Sequence, residues 1–485
     1  MAVDAAQGAA LPLGRSLDEA AMSRLHVRFW LLAGLGILLD GFDFFIIGVA
    51  NPLIAQDFGI SDAEKGLVSA AAIVGAIFGA GLLGPLGDKI GRRRIFQFDL
   101  ALFVVFSVLS AAAPNLWWLI AFRLVLGVAI GLDYPIAASY LAEVLPARGR
   151  GRWLTAAFSL QAGGIMLGAL IGVVVLELAP DVDSWRIMLG VGAVPALVIM
   201  LFRRGTPESP RWLAQNGRAD EAREVAEALT GHPVEVTEED KRRGAPIPEG
   251  LKALVQPQLF RRALRRRTIF TSVPWFLMDI ATYGVGIFTP TLLAAITING
   301  ANTTFISDDI ASTKGTAALD VFLVIGFVFA IWLVDRIGRI PLQVAGFAMM
   351  TVALALLAVV EGLPGGGDSH LALVFVGFAL FNTFMNAGPN ATTYTLAAEV
   401  FPSEVRAAGQ GFAAACAKLG AALGVFLFPI LMDDIGTSAL LAIVAGACLV
   451  ALAVTLAFRI ETRGRSLDEV SGAELARLRP RPTPP

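Results

Sequence analysis

The stretch Val27–Ala50, VRFWLLAGLGILLDGFDFFIIGVA, is long enough to cross a bilayer and holds two carboxylates, Asp40 and Asp43, near its middle. A helical crossing takes about 20 residues. Leu67–Leu86, Ile95–Ala113 and Thr437–Phe458 are apolar runs of similar reach. Of 485 residues, 56% are hydrophobic and 16% charged, and the mean hydropathy is +0.69. Soluble domains carry about 25% charged residues, and no water-soluble chain hides this much apolar surface. The reading is an all-α membrane protein. Twelve spans fit: 27–50, 63–86, 95–113, 116–144, 153–177, 185–203, 267–293, 313–335, 341–360, 370–398, 408–432 and 437–459.

The one long polar stretch, Arg203–Arg267, divides the spans six and six. Within it Asp220–Leu229 reads as a short amphipathic helix and Gly244–Gly250 as a linker. The expected division is 1–203, a first six-helix half; 204–266, a central loop; 267–459, a second half; and 460–485, a tail. Loops with Lys89, Arg92, Arg93 and Arg94, then Arg148, Arg150 and Arg152, then 203–267, then Arg336 and Arg339, then Arg406, all fall on one side. Opposite loops carry Asp57, Asp62, Asp181, Asp183, Asp308, Asp309, Asp368, Asp433 and Asp434. The positive-inside rule makes the basic side and both termini cytoplasmic. The N-terminus has no signal-peptide pattern.

Two segments repeat. Gly87-Asp88-Lys89-Ile90-Gly91-Arg92 returns as Val334-Asp335-Arg336-Ile337-Gly338-Arg339, and Ala142-Glu143-Val144-Leu145-Pro146 as Ala398-Glu399-Val400-Phe401-Pro402. Both copies have the same sidedness. Parallel six-helix repeats are the architecture of carriers that rock about a midplane site. The repeated loops place Asp88, Arg92, Glu143, Asp335, Arg339, Glu399 and Arg406 as gating charges rather than substrate ligands.

An ionisable group at mid-bilayer costs about 2.5–3.5 kcal/mol on insertion scales. Asp40, Asp43, Arg123, Asp133, Asp279 and Lys418 together would cost on the order of 15–20 kcal/mol unpaired, so they must face the interior. Asp40 and Asp43, three apart, share a helix face and with Asp133 are candidates for carrying protons. Asp99 and Asp320 lie nearer span ends and read as interfacial or packed polar groups. Arg123 precedes Asp133 by about 15 Å of helix and does not pair with it inside span four. Its Arg123-x-x-x-Gly127-x-x-x-Gly131 spacing suggests a close helix contact. Trp275, Asp279 and Tyr283 fall at i, i+4 and i+8, one stripe about 12 Å long with no cation beside it in sequence.

Cys416 and Cys448 sit in apolar runs and read as packing thiols. No Cys/His metal set is expected. No Ser/His or Cys/His pair points to an enzyme, and a net charge of -2 gives no nucleic-acid footprint.

Gly84-Pro85-Leu86-Gly87-Asp88-Lys89-Ile90-Gly91-Arg92-Arg93 resembles the loop motif of the major facilitator superfamily. Pro207-Glu208-Ser209-Pro210-Arg211-Trp212-Leu213 and Glu461-Thr462-Arg463-Gly464 are similar to the sugar-porter-like branch. Asp40-Gly41-Phe42-Asp43, Gly131-Leu132-Asp133-Tyr134-Pro135, the run Trp275–Gly284, Gly388-Pro389-Asn390-Ala391-Thr392-Thr393 and Lys418-Leu419-Gly420 resemble the phosphate:proton symporters. That resemblance implies a phosphate site at Tyr134, Gln161, Trp275, Asp279, Tyr283 and Asn390, with Lys418 nearby and Asp43 and Asp133 handling protons. It differs in Phe42 and Leu132, where the family often has Tyr and Gly. Asp40-Gly41-Phe42-Asp43 is also similar to aromatic-acid:proton symporters.

The expected function is proton-coupled uptake of inorganic phosphate by alternating access, with no cofactor, as a monomeric multi-pass plasma-membrane protein. The alternatives are proton-coupled uptake of an organic (aromatic) acid or sugar, and a nutrient sensor that binds without transport.

Overall fold

The computed structural model describes residues 10–84, 86–241, 257–262, 264–286, 305–364, 370–467 and 469–470. Ten helical segments among them are long and apolar enough to cross a membrane. Helices Arg265–Gly286 and Phe305–Ile337 stand where the seventh and eighth spans are expected and pack among the others. In chain order the spans are one, Arg24–Phe58; two, Asp62–Phe78, prolonged by a π turn over Gly79–Leu83; three, Arg92–Ala111; four, Leu116–Val144; five, Arg150–Leu178; and six, Ser184–Val191 with Ala193–Arg203. The second set is seven, Arg265–Gly286; eight, Phe305–Ile337; nine, Arg339–Glu361; ten, Leu371–Ala387 with Pro389–Val400; eleven, Arg406–Ile435; and twelve, Thr437–Phe458.

Local chemistry sets several ends. Ser61 and Glu64 form a reciprocal capping box at the start of span two, satisfying backbone donors that a helix N-terminus leaves open. Asn115 accepts from the Trp118 amide at the start of span four. Span ten breaks at Gly388, and Pro389 opens its second segment, a position where proline loses no helical hydrogen bond. The break lies next to Asn390.

Span one packs along span five and seven along eleven; two along four and eight along ten; three along six and nine along twelve. Each pairing thus recurs six spans later, the sign of two parallel repeats. The halves meet where span two lies on eleven and span five on eight. Among the described residues, one small exception to the all-α expectation is present: Leu11–Pro12 pairs in parallel with Val234–Glu235. The short helix expected at Asp220–Leu229 is Ala219–Thr230. The linker expected at Gly244–Gly250 lies outside the described residues, as do Asp368 and the side chains of Asp62, Asp308, Asp309, Asp320 and Asp433.

Lipid gives helices no hydrophobic reason to associate, so they need close packing. Spans two and four provide it at Gly127 and Gly131. A Cβ on Gly127 would fall inside the Ala72 carbonyl, and one on Gly131 inside the Ala76 carbonyl. Gly127→Ala is expected to lower stability by about 1–3 kcal/mol through overpacking. A thermal melt of the detergent-solubilised variant measures it, and an unchanged midpoint would mean that the helices separate freely.

Candidate functional site

Where the halves meet, the span-seven stripe gains the cation its own sequence lacks. Lys418, from span eleven, donates to the Tyr283 hydroxyl at 3.0 Å and lies 3.6 Å from Asp279 Oδ2. Asp279 and Lys418 are 3% and 5% exposed. The ammonium also stands over three rings: Tyr283 at 4.9 Å, Phe44 at 5.2 Å and Tyr134 at 5.3 Å. Phe44 and Tyr134 come from the first half, so one cation touches both repeats. Ring faces carry negative quadrupole density, which holds a desolvated ammonium. Gln161 Nε2 donates to the Tyr134 hydroxyl, and the Trp275 ring meets Tyr394 edge-on at 6.4 Å. Asn390 donates to Asn386 Oδ1 at 2.7 Å, directed along span ten. Tyr134, Gln161, Asp279, Tyr283 and Lys418 are therefore linked by direct contacts, Trp275 joins them through Tyr394 and Phe158, and Asn390 is tied to its own helix.

The carboxylates of span one part company. Asp43 turns toward span four, where Arg123 Nη1 donates to its Oδ1 at 2.6 Å. Asp40 faces a cavity of about 10 Å³ shared with Gly36, Asp99, Ile130 and Asp133, about the space of one water. Two of these carboxyls have a cation: Arg203 Nη1 lies 3.3 Å from Asp133 Oδ1 and 4.0 Å from Asp99 Oδ1. Arg203 also donates to the Leu32 carbonyl at 2.8 Å and the Ala33 carbonyl at 3.2 Å, and covers the Phe96 ring at 4.3 Å.

Sequence reasoning missed Arg203, read as the start of a polar loop, and underrated Asp99, which is 2% exposed and about 10 Å into span three. The usable signal was charge balance, since three interior carboxyls require a cation. One oxygen on each of Asp40, Asp43, Asp99, Asp133 and Asp279 is buried without a hydrogen-bond partner. Buried acceptors normally have one, so these mark where protons, water or solute belong.

The basic face brings together the charges expected to gate. Arg92 binds Asp88 and Glu143, each at 2.8 Å, and Arg339 repeats this with Asp335 and Glu399, each at 2.8 Å. Gly91 and Gly338 enter these helices at φ 99° and 104°, where a side chain is strained. Glu208 accepts the Arg92 and Arg93 amides, and Glu461 accepts those of Arg339 and Ile340. Carboxylates at helix N-termini offset the dipole there. On this face, among the described residues, polar contacts cross between the halves: the Ala408 amide donates to Asp88 Oδ2 at 3.0 Å, the Arg152 amide to Asp335 Oδ2 at 3.0 Å, and Arg406 Nη1 to Glu143 Oε1 at 3.3 Å. This face is latched shut.

Burial pushes the Asp88 carboxyl up to about 7, with Arg92 opposing the rise and Glu143 adding to it. An opened, hydrated Asp88 returns toward the usual value near 4. Protonation therefore favours the latched form. That advantage is complete below about pH 4 and is lost as pH rises through about 7. Spin labels on the 84–94 and 403–408 loops should show a longer-distance population growing from pH 6 to 8. Asp88→Asn should remove this pH response, and a response retained in Asp88→Asn would assign it to another group.

The geometry is that of a helical membrane bundle with buried charges where its two halves meet. The sugar (and other) transporter family matches residues 29–473, and the chain belongs to that family, within the major facilitator superfamily. It is 30% identical over 464 residues to the putative metabolite transport protein YaaU of Escherichia coli, covering 94% of this chain and 97% of that one. A probable inorganic phosphate transporter 1-6 of Arabidopsis thaliana is 30% identical, with 94% and 96% covered. Glucose transporter GlcP of Staphylococcus epidermidis is 30% identical, with 91% and 95% covered. The fold matches the proton:xylose symporter XylE bound to 6-bromo-6-deoxy-D-glucose, with TM-score 0.75, 21% identity and coverage of 93% and 100%. These relatives are transporters, and the chain is a multi-pass membrane transporter of small molecules.

Proposed function

We propose that the chain is a proton-coupled symporter of inorganic phosphate, working by alternating access. The observation carrying this is Lys418, held between Asp279, Tyr283 and Tyr134 where the two halves meet. An ammonium paired with a carboxylate is neutral and does not attract an oxyanion. Protonating Asp279 releases the ammonium to the anion, so substrate and proton enter together. Trp275, Tyr134, Tyr283, Gln161 and Asn390 supply neutral donors for phosphate oxygens, and a protonated phosphate can donate in return.

Asp43 with Arg123, and Asp133 with Asp40, Asp99 and Arg203, would form the coupling sites. Arg203 offsets one charge of the buried carboxyls Asp40, Asp99 and Asp133, so the group is neutral only with two bound protons. The gate of Asp88, Arg92, Glu143, Asp335, Arg339, Glu399 and Arg406 would open when the latch charges part. The reading includes a monomer in the plasma membrane with both termini cytoplasmic, and the half boundaries 1–203 and 267–459. Proteoliposome uptake of labelled phosphate, with and without an inward proton gradient, tests it. Uptake indifferent to the gradient rejects symport.

The second reading is a sugar, favoured by the uncharged donors Tyr134, Gln161, Trp275 and Asn390, which suit a polyol, and by the glucose-transporting relative. Competition of the phosphate signal by hexoses or pentoses separates the two. Sugar uptake without phosphate uptake rejects the phosphate assignment.

A further inference from the structure

A cleft of about 520 Å³ opens on the basic face of the second half, lined by Arg266, Ile340, Pro341, Arg459, Ile460, Glu461 and Arg465. Its position is at the membrane boundary, because span nine begins at Arg339 and span twelve ends at Phe458. The buried arginines of the latch are spent on carboxylates: Arg92 on Asp88 and Glu143, Arg150 and Arg211 on Asp18, Arg339 on Asp335 and Glu399, Arg406 on Glu143. Arg266, Arg459 and Arg465 are exposed and have no carboxylate within ion-pair distance among the described residues. Arg266 donates to the Arg459 carbonyl at 2.9 Å, which fixes one guanidinium at the cleft wall.

The one acid in the wall does not reach across to them. Glu461 accepts the amides of Arg339, Ile340, Thr462 and Arg463 at 3.0–3.2 Å, so its oxygens are committed to backbone donors. Three guanidiniums against one carboxylate leave the cleft at net +2. Guanidiniums present forked donors that suit phosphate oxygens. The remaining wall, Ile340, Pro341 and Ile460, is apolar, which a freely hydrated anion does not use and an acyl-glycerol backbone does.

We propose that this cleft is a binding site for the phosphate headgroup of an anionic phospholipid from the leaflet on the basic face. Basic pockets between helix ends bind such headgroups. The site is separate from the central one and does not depend on what the carrier transports. A lipid seated there would contact the ends of spans seven, nine and twelve together, the second half only, and so would hold that half to its leaflet while the first half moves.

The test is a thermal-shift titration of the purified full chain in detergent with phosphatidylglycerol, phosphatidylcholine and sodium phosphate in parallel. Phosphatidylglycerol should raise the melting midpoint saturably and phosphatidylcholine should not. In R459Q/R465Q the half-saturating concentration should rise at least tenfold, at roughly fivefold per arginine. Should the double variant fold poorly by circular dichroism, R465E, altered at an exposed turn, should show the same direction. Equal stabilisation by both lipids, or a phosphatidylglycerol response unchanged in the variants, would overturn the proposal. A sodium phosphate response that disappears in R459Q/R465Q would assign the cleft to a soluble oxyanion and overturn the lipid assignment.

Discussion

Asp279→Asn should bring uptake in proteoliposomes to background, a loss of at least tenfold, while the protein still reaches the membrane. The carboxylate has two tasks in the proposed cycle, and an amide performs neither. It must neutralise Lys418, 3.6 Å away, in the empty carrier, and it must accept the proton that frees Lys418 for the anion. Asparagine leaves a buried ammonium permanently unpaired, and breaking a buried pair costs about 3–5 kcal/mol. A fall in stability therefore has to be separated from a fall in transport. Asp279→Asn/Lys418→Gln removes both charges and should recover most of the melting midpoint without recovering uptake. Asp279→Glu keeps the charge, displaced by one methylene, and should retain part of the rate. Uptake retained in Asp279→Asn would remove Asp279 from the site.

Much of this was legible because bilayers constrain sequence so strongly. Span lengths follow from hydrocarbon thickness, and each of the twelve expected spans overlaps a helix among the described residues, residues 287–293 of the seventh lying outside them. The latch was legible because it is written twice: Asp88 and Arg92 recur as Asp335 and Arg339, and Glu143 as Glu399, with identical pairing distances of 2.8 Å. What could not be read was which distant charges meet. Periodicity places Trp275, Asp279 and Tyr283 on one stripe, but their cation arrives from span eleven. Asp40 and Asp43 share a face in sequence, yet Asp43 meets Arg123 while Asp40 faces a small cavity with Asp99 and Asp133. Arg203 looked like loop because it ends a span, although it is 2% exposed and reaches back to two carboxylates. Such pairings depend on how helices cross, and local spacing does not encode that.

The two halves also differ in a way the repeats hide. Among the described residues, the first half combines guanidiniums with carboxyls inside its helices: Arg123 with Asp43, and Arg203 with Asp133 and Asp99. The second half presents Lys418, aromatic rings and amides. The proposed cycle therefore divides labour, with proton handling on one side of the central interface and solute on the other. Phe44 joins them, lying one residue past Asp43 and within 5.2 Å of the Lys418 ammonium. A shift of span one on protonation would therefore be felt at the solute site by direct contact.

Arg123→Gln tests that division. Arg123 is 1% exposed, and its Nη1 sits 2.6 Å from Asp43 Oδ1, so its removal strands a carboxylate in a dry interior. The single variant should lose about 3–5 kcal/mol of stability, and accumulation should no longer respond to an inward proton gradient. Asp43→Asn/Arg123→Gln has no charge left to strand, and its melting midpoint should return most of the way. If the pair serves only to join spans one and four, gradient-driven accumulation should return with the midpoint. If Asp43 carries a proton whose release Arg123 controls, stability returns and coupling does not. The second outcome is expected, because Nε and Nη2 of Arg123 and Oδ2 of Asp43 remain without hydrogen-bond partners. A pair kept for strength alone would have those atoms satisfied. A double variant that accumulates solute up a proton gradient as well as the parent would move coupling wholly to Asp40, Asp99 and Asp133.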